Sequence, residues 1–302
     1  MTAQKEKLKV ILAGTGVLAL KIAKRIQEDT RLKLFGVILD KSAGESKNRE
    51  YLTAIRNIGG EEAFFEDKYL GQADLILACQ YGIAVPKQYV EKYRFLNCHT
   101  GILPKYKGFS ANAWAVLNGA DEIGYTIHQM NEKFDNGDIF FVKRFPLSKE
   151  QIYADLYDSI QNHIENNICN VLTDIYEKKL SPVKQEGRGF YFTKFFPEMG
   201  NLKDFCEESE YIRNLYRSMA KPLGTGVFFW YKGDKFYPRK VTAGSDIGVE
   251  NYIGVPGKVV NCEEDDIWVK TKDNVIILSD IETESGERIQ RGKFKIGNML
   301  GR

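Results

Sequence analysis

The stretch LKVILAGTGVLALKIAKRI, residues 8–26, joins two periodicities through a glycine turn. LKVILA (8–13) is an apolar run of strand length, and Gly14-Thr15-Gly16 ends it. Leu18, Ile22 and Ile26 then recur every four residues, as on one face of a helix. Further apolar runs follow at LKLFGVILD (32–40), at ADLILAC (73–79) and at FLNCH from Phe95, with helical stretches between them. Short apolar runs alternating with helical pattern predict a parallel sheet with crossover helices, a Rossmann-like α/β domain. Sheets of that kind bind ligands beyond the carboxyl ends of their strands. Two segments fall at such ends: Gln80-Tyr81-Gly82 after the third run, and Asn97-Cys98-His99 at the fourth.

The rest of the chain changes character in steps. Ile152, Leu156, Ile160, Ile164, Ile168, Val171 and Ile175 recur every three or four residues and predict one long helix over 151–180. The next segment is rich in Gly, Phe, Lys and Pro and reads as a linker over 183–210. A short helix is expected from about Tyr211. GTGVFFWYKGDKFYPRKV then holds two aromatic-rich runs around Lys-Gly-Asp, a hairpin signal, and IWVKTKDNVIILSDI gives two more strands around Asp273-Asn274. The expected organisation is a first domain over 1–182, the linker, and a small β-barrel, OB-like, over 211–302.

Composition narrows the function classes. Lys plus Arg total 43 and Asp plus Glu total 41 in 302 residues, a net charge of +2. Such a balance gives no reason to expect strong nonspecific affinity for nucleic acid or an anionic membrane. No run approaches the roughly 18 apolar residues of a membrane span. The start, MTAQKEKLKVILAGTG, lacks the architecture of a signal peptide. Five dispersed cysteines without CxxC spacing read as reduced thiols of a cytoplasmic protein, with no metal site.

GTGVLA is close to the dinucleotide fingerprint GxGxxG/A, with Asp40 at the end of the next run in place of a ribose-binding acid. Glycines at a tight strand-to-helix turn explain the match as well. Asn97 and His99 also have an ordinary reading, as satisfied polar groups at a strand end. Asp135-Asn136-Gly137-Asp138 is by itself an ordinary turn. The turn alone does not account for the company these residues keep: an Asn-x-His pair, a Leu-Pro-x-Tyr-x-Gly loop (103–108), and a Gly-x-Thr-x-His strand (124–128) before Asp135.

That set resembles the folate-dependent formyltransferase family, on Asn97, His99, Leu103-Pro104 with Gly108, and Asp135-Asn136-Gly137. YGIAVP (81–86), GRGFYFTKFFPEMG (187–200), YIRNLYRSMAKPLGTGVFF and VPGKVV extend the resemblance over nearly the whole chain. It implies acyl transfer from 10-formyltetrahydrofolate to an amine. Asn97 would aim an amide donor at the developing oxyanion. His99 would move protons near neutral pH, oriented by Asp135. The resemblance places Gln80, Tyr81, Gly82, Ile83, Phe134 and Asp138 near the folate, largely through main-chain groups.

Three acceptor classes compete within the family. In residues 201–302, Lys and Arg total 16 and Asp and Glu total 16, so no extended basic surface for tRNA is evident. Thr100-Gly-Ile-Leu-Pro104 and Lys107-Gly-Phe-Ser110 also depart from the Ser-Leu-Leu-Pro and Arg-Gly-Ala of the methionyl-tRNA formyltransferases. Glycinamide ribonucleotide enzymes lack an appended β-domain. The closest resemblance is to the sugar N-formyltransferases, which act on amino sugars carried on a nucleotide. This implies Lys105 and Lys107 at phosphate and Trp114 at the acceptor, with no nucleic-acid or membrane partner and a possible homodimer. A solvated lysine pair explains Lys105 and Lys107 equally well. Two alternatives stay open: methionyl-tRNA formyltransferase, and an inactive folate- or nucleotide-binding module.

Overall fold

The structure, a computed structural model, describes residues 6–249 and 253–301. The outermost residues of the expected domains, 1–5 and 302, lie outside it. In chain order the elements are β1 (Leu8–Ala13), α1 (Val17–Glu28), β2 (Leu32–Ile38), α2 (Glu45–Asn57), α3 (Asp67–Leu70), β3 (Leu75–Ala78), α4 (Lys87–Lys92), β4 (Phe95–His99), β5 (Tyr106–Gly108), α5 (Ala111–Leu117), β6 (Glu122–Gln129), β7 (Ile139–Pro146), α6 (Tyr153–Tyr176), β8 (Phe190–Phe192) and α7 (Ser209–Met219). Seven strands follow: β9 (Phe229–Tyr231), β10 (Asp234–Tyr237), β11 (Lys240–Ala243), β12 (Val259–Glu263), β13 (Asp266–Lys270), β14 (Val275–Ser279) and β15 (Glu282–Thr283). They fall into two compact units. The first runs to Ala111 and adds Ile123–Phe145 and Tyr157–Phe192; the second takes Asn112–Glu122, Pro146–Leu156 and the chain from Thr193.

The first unit is built on a six-stranded sheet in the order β2-β1-β3-β4-β6-β7. β1, β2, β3 and β4 are parallel, and β6 runs antiparallel to β4. Every residue of β3 is buried, as expected for a parallel strand covered on both faces. α1 buries Leu18, Ile22 and Ile26, the three apolar positions of its sequence pattern. Its amino terminus has no local cap. Gln80 supplies one from the end of β3: its Oε1 accepts from Leu18 N at 3.0 Å and Ala19 N at 3.2 Å. α6 buries Ile160, Ile164, Ile168, Leu172 and Ile175 along one stripe, close to the helix expected from periodicity.

The segment read as a linker is divided between the units. Residues to Phe192 belong to the first, where β8 pairs in parallel with β5 and Val183 bridges Ile139. Three- to four-residue pairings of this kind carry no period long enough to read in sequence.

The second unit is antiparallel β with one helix. Its sheets are three-stranded (β15-β10-β9) and four-stranded (β11-β14-β13-β12). The expected small β domain is therefore present, but among the described residues its strands form two separate ladders and not one closed barrel. Its core gathers Phe205, Phe229, Phe236 and Phe294 with Ile212, Leu215 and Met219 from α7. The Phe229 ring lies 5.7 Å from Phe236 and 5.6 Å from Phe294. Two buried cations on α7 are satisfied inside the unit. Arg217 Nε and Nη2 donate to Gln151 O (2.8 Å) and Ser148 O (2.5 Å), and Arg213 Nη1 reaches Asp246 Oδ1 at 2.6 Å. Among the described residues no helix is long and apolar enough to cross a membrane.

Phe229 has no exposed surface and is held on both sides by other rings. Phe229→Ala is expected to destabilise the second unit by about 3–5 kcal/mol, read as an earlier guanidinium unfolding midpoint for that unit.

Candidate active site

β4 carries Asn97 and His99 on the same face, because alternate residues of a strand share a side. The antiparallel register of β6 sets His128 opposite Asn97 and Thr126 opposite His99. Six residues past the end of β6, the chain brings Asp135 back over this pair. Asp135 has φ 49°, in the left-handed region that non-glycine residues seldom occupy. Two residues later Gly137 passes so close to Gln129 O that a Cβ would overlap it.

The Asp135 carboxylate is buried, and each of its oxygens meets two groups. Oδ1 accepts from Asn97 Nδ2 at 3.1 Å and lies 3.4 Å from His128 Nε2. Oδ2 accepts from the Gly108 main-chain N–H at 2.7 Å and lies 3.5 Å from His99 Nδ1. A buried carboxylate normally rises in pKa. Burial does act that way on Asp135, but the hydrogen bond from His128, the charge of His99 and the Gly108 N–H outweigh it and hold the carboxyl at about 2.

The partners of the histidines assign their protons. Tyr106 O can only accept, so His99 Nε2, at 2.8 Å, carries hydrogen. Gln129 O accepts in the same way from His128 Nδ1, also at 2.8 Å. His99 Nδ1 is left as the titrating atom facing Asp135. Burial pushes His99 below its ordinary range, and Asp135 pulls it part of the way back. A ring neutral near pH 7, beside a carboxylate that stabilises its charged form, is suited to accept and return a proton. Asn97 has an amide NH₂ 3.2 Å from His128 Nε2 and edges onto an open cleft.

That cleft is lined by Tyr81, Ile83, Val85, Met130 and Phe134 around Asn97, His128 and Asp135. The structure thus brings together Asn97, His99, Asp135, Tyr81, Ile83 and Phe134 from the residues singled out in the sequence. Gln80 is occupied elsewhere, as the cap of α1. Gly82 donates its N–H to Asp40 Oδ2 at 2.8 Å, and Asp138 contributes its carbonyl to Gln129 N. Lys107 is buried beside the turn, with Nζ 2.6 Å from Asn136 Oδ1. Lys105 is exposed, its Nζ 5.2 Å from the Tyr106 ring centroid. Trp114 belongs to the second unit, where its indole donates to Thr193 O and packs on Phe195.

The dinucleotide fingerprint finds no support. The N–H groups at the start of α1 are taken by Gln80, and Asp40 is taken by Ser42 and Gly82. Among the described residues no group of three or more His, Cys, Asp or Glu is placed to hold a metal ion.

Local pattern places His128 in the Gly-x-Thr-x-His strand and assigns it no role. The signal that would have found it is the strand pairing, since a position opposite Asn97 faces the same site. Thr126 was missed in the same way. Its Oγ1 donates to Gly101 O (2.8 Å) and accepts from Leu103 N (3.2 Å), fixing the loop that leaves His99.

Comparison with known proteins gives the family and the fold. The family described as formyl transferase matches residues 49–172, and that described as formyl transferase, C-terminal domain, matches 198–298. Among curated relatives, the methionyl-tRNA formyltransferase of Lachnospira eligens is 25% identical over 243 residues, covering 80% of this chain and 76% of that one. The Mesoplasma florum protein of the same description is 24% identical over 310 residues, covering 97% and 96%. Among solved structures, the N-formyltransferase from Helicobacter canadensis, in complex with folinic acid and dTDP-3-aminofucose, superposes with a TM-score of 0.66 at 21% identity. It covers 90% of this chain and 99% of that one. A 4-N formyltransferase from Francisella tularensis gives 0.64 at 20% identity, covering 76% and 95%. At these identities the superpositions show a shared fold.

The Asp135 carboxyl, held at about 2 against an ordinary 3.8, contributes stability that is full above pH 3.8 and lost as pH falls through about 2. Asp135→Asn removes this contribution. The stability lost between about pH 6 and pH 2.5 should be smaller in the variant by roughly 2 kcal/mol, measured by denaturant unfolding at both pH values.

Proposed function

The chain belongs to the formyl transferase family, and from that premise we propose that it moves the formyl group of 10-formyltetrahydrofolate onto the amine of a nucleotide-linked amino sugar. The observation that carries the transfer chemistry is the pair Asn97 and Asp135 lining a cleft with apolar walls, with His99 against the far oxygen of Asp135. The cleft suits a flat, folate-like ring: Ile83, Val85, Met130 and Phe134 offer apolar contact, while the polar atoms gather where the reacting formyl group would lie.

In this reading the Asn97 amide turns from Asp135 to the formyl oxygen as negative charge develops there. A donor of this kind contributes roughly 3–4 kcal/mol to the transition state. The amine attacks the formyl carbon and becomes acidic as its bond forms. His99 Nδ1 takes that proton, and the ionised Asp135 stabilises the imidazolium. The same proton then goes to the departing folate nitrogen. His128, with its proton on Nδ1, accepts from Asn97 Nδ2 at Nε2 and holds that amide in place. Lys107 beside the turn and exposed Lys105, both in the first unit, are the side chains we assign to the acceptor.

Three observations support a sugar acceptor: the charge balance of residues 201–302, the LPKYKG loop in place of its tRNA-enzyme counterpart, and a fold shared with a protein solved with dTDP-3-aminofucose. A methionyl-tRNA acceptor is favoured by one observation, that curated relatives of that description align along as much as 97% of the chain.

Formyl transfer from 10-formyltetrahydrofolate should proceed with one member of a panel of nucleotide-linked amino sugars and not with methionyl-tRNA. Turnover of the tRNA alone would overturn the sugar assignment, and turnover of neither would favour a binding module. Asn97→Ala should lower kcat by about 10²–10³-fold. His99→Ala and Asp135→Ala should each abolish most turnover while the proteins remain folded by circular dichroism.

A further inference from the structure

Four consecutive residues of the Asp135 turn are held from outside it. Tyr191 Oη donates to Phe134 O at 3.0 Å. Gln185 Nε2 donates to both Asp135 O (3.0 Å) and Gly137 O (2.8 Å). Lys107 Nζ donates to Asn136 Oδ1 at 2.6 Å. Gln185 and Tyr191 lie on one strap that is itself anchored at both ends. Val183 and Ile139 exchange a pair of main-chain hydrogen bonds of 2.8 Å, and β8 pairs with β5.

Gln185 differs from the other two in kind. Its single amide nitrogen spans the turn by gripping two main-chain carbonyls, one of them that of Asp135. Both partners are acceptors, so the NH₂ end of the amide must face them. Its Oε1 is then buried with no hydrogen-bond partner. An unpaired buried acceptor is unfavourable, and here it is retained where the other end of the same amide bonds the turn. Asp135 meanwhile sits at φ 49°, a conformation that persists in a non-glycine residue only where its surroundings over-determine it.

We propose that Gln185 is a positioning residue for formyl transfer: its amide clamps the Asp135 and Gly137 carbonyls and so keeps the Asp135 carboxylate against Asn97 and His99. The inference rests on the reading of those three residues as the catalytic group. Without the clamp the turn relaxes from the left-handed region, and the carboxylate moves off both partners. A misplacement on the order of 1 Å at a reacting group can lower turnover by ~10²-fold.

The test uses the full chain with two variants. Gln185→Met keeps length and removes the donors; Gln185→Glu keeps shape and sets carboxylate oxygens against the two carbonyls. Both should lower kcat by roughly 10–10²-fold, with KM for acceptor and formyl donor within about twofold. The pH–rate limb reporting His99 should also move to lower pH. The charged groups acting on that ring are Asp135, which raises its pKa, and His128 and Lys107, which lower it. In Gln185→Met, withdrawal of Asp135 leaves burial, His128 and Lys107 lowering the ring against the Tyr106 carbonyl alone; the new carboxylate of Gln185→Glu acts the other way, so the limb is read in Gln185→Met. A purely structural role would lower Tm and leave the limb in place, and that result overturns the proposal. So does a kcat within twofold of wild type in either folded variant. Asp135→Ala, assayed alongside, separates the two layers. If it is inactive while the Gln185 variants are normal, the positioning role alone falls. If it turns over at the wild-type rate, the catalytic reading falls and the positioning role with it.

Discussion

A buried carboxylate must be answered on every side, and the first unit is arranged around that requirement at Asp135. Its two oxygens receive four groups from three separate places in the chain: Asn97 and His99 on β4, the Gly108 N–H on β5, and His128 on β6. Left unanswered, such a charge would cost several kcal/mol or take up a proton. The answered carboxyl instead stays ionised down to about 2. Negative charge is therefore available next to His99 throughout the neutral range, while burial keeps His99 itself inclined to the neutral form. The two opposed tendencies produce a base that is free to take a proton and an acid that is stabilised once it has one.

The scaffold explains how these groups meet. Parallel strands end together, so the loops after β3 and β4 open on the same edge of the sheet. Reversal of direction at β6 adds a strand whose register, not its length, places His128 against Asn97. The Asp135 turn lies outside the sheet ladders; there a non-glycine residue takes a left-handed φ, and side chains from elsewhere serve as ties. Strain at this aspartate and redundancy of its supports belong together, since a left-handed aspartate with loose surroundings would relax.

Much of the architecture was legible in the residues. LKVILA became β1 at the expected bounds, FLNCH became β4, and the four-residue spacing of Leu18, Ile22 and Ile26 became the buried face of α1. Asn97, His99 and Asp135 stand out in the sequence through a family resemblance, and the structure brings them into contact. Less legible were features that depend on long-range pairing. The antiparallel strands after α7 were apparent, but their separation into two ladders was not, because closure depends on register between distant strands. Gln80 looked like a residue of the ligand loop, and it caps a helix more than sixty positions earlier in the chain.

The sequence by itself determined the alternation of strands and helices and which polar residues stand at strand ends, because hydrophobic period and residue type are local properties. Tertiary structure alone decided that His128 stands opposite Asn97, that residues 183–192 are a strap on the Asp135 turn and not a free linker, and that a glutamine holds that turn at two carbonyls. Each of these is a contact between segments far apart in the chain. Their energy comes from geometry that forms only after the sheet has brought the segments together, and so no local pattern records it.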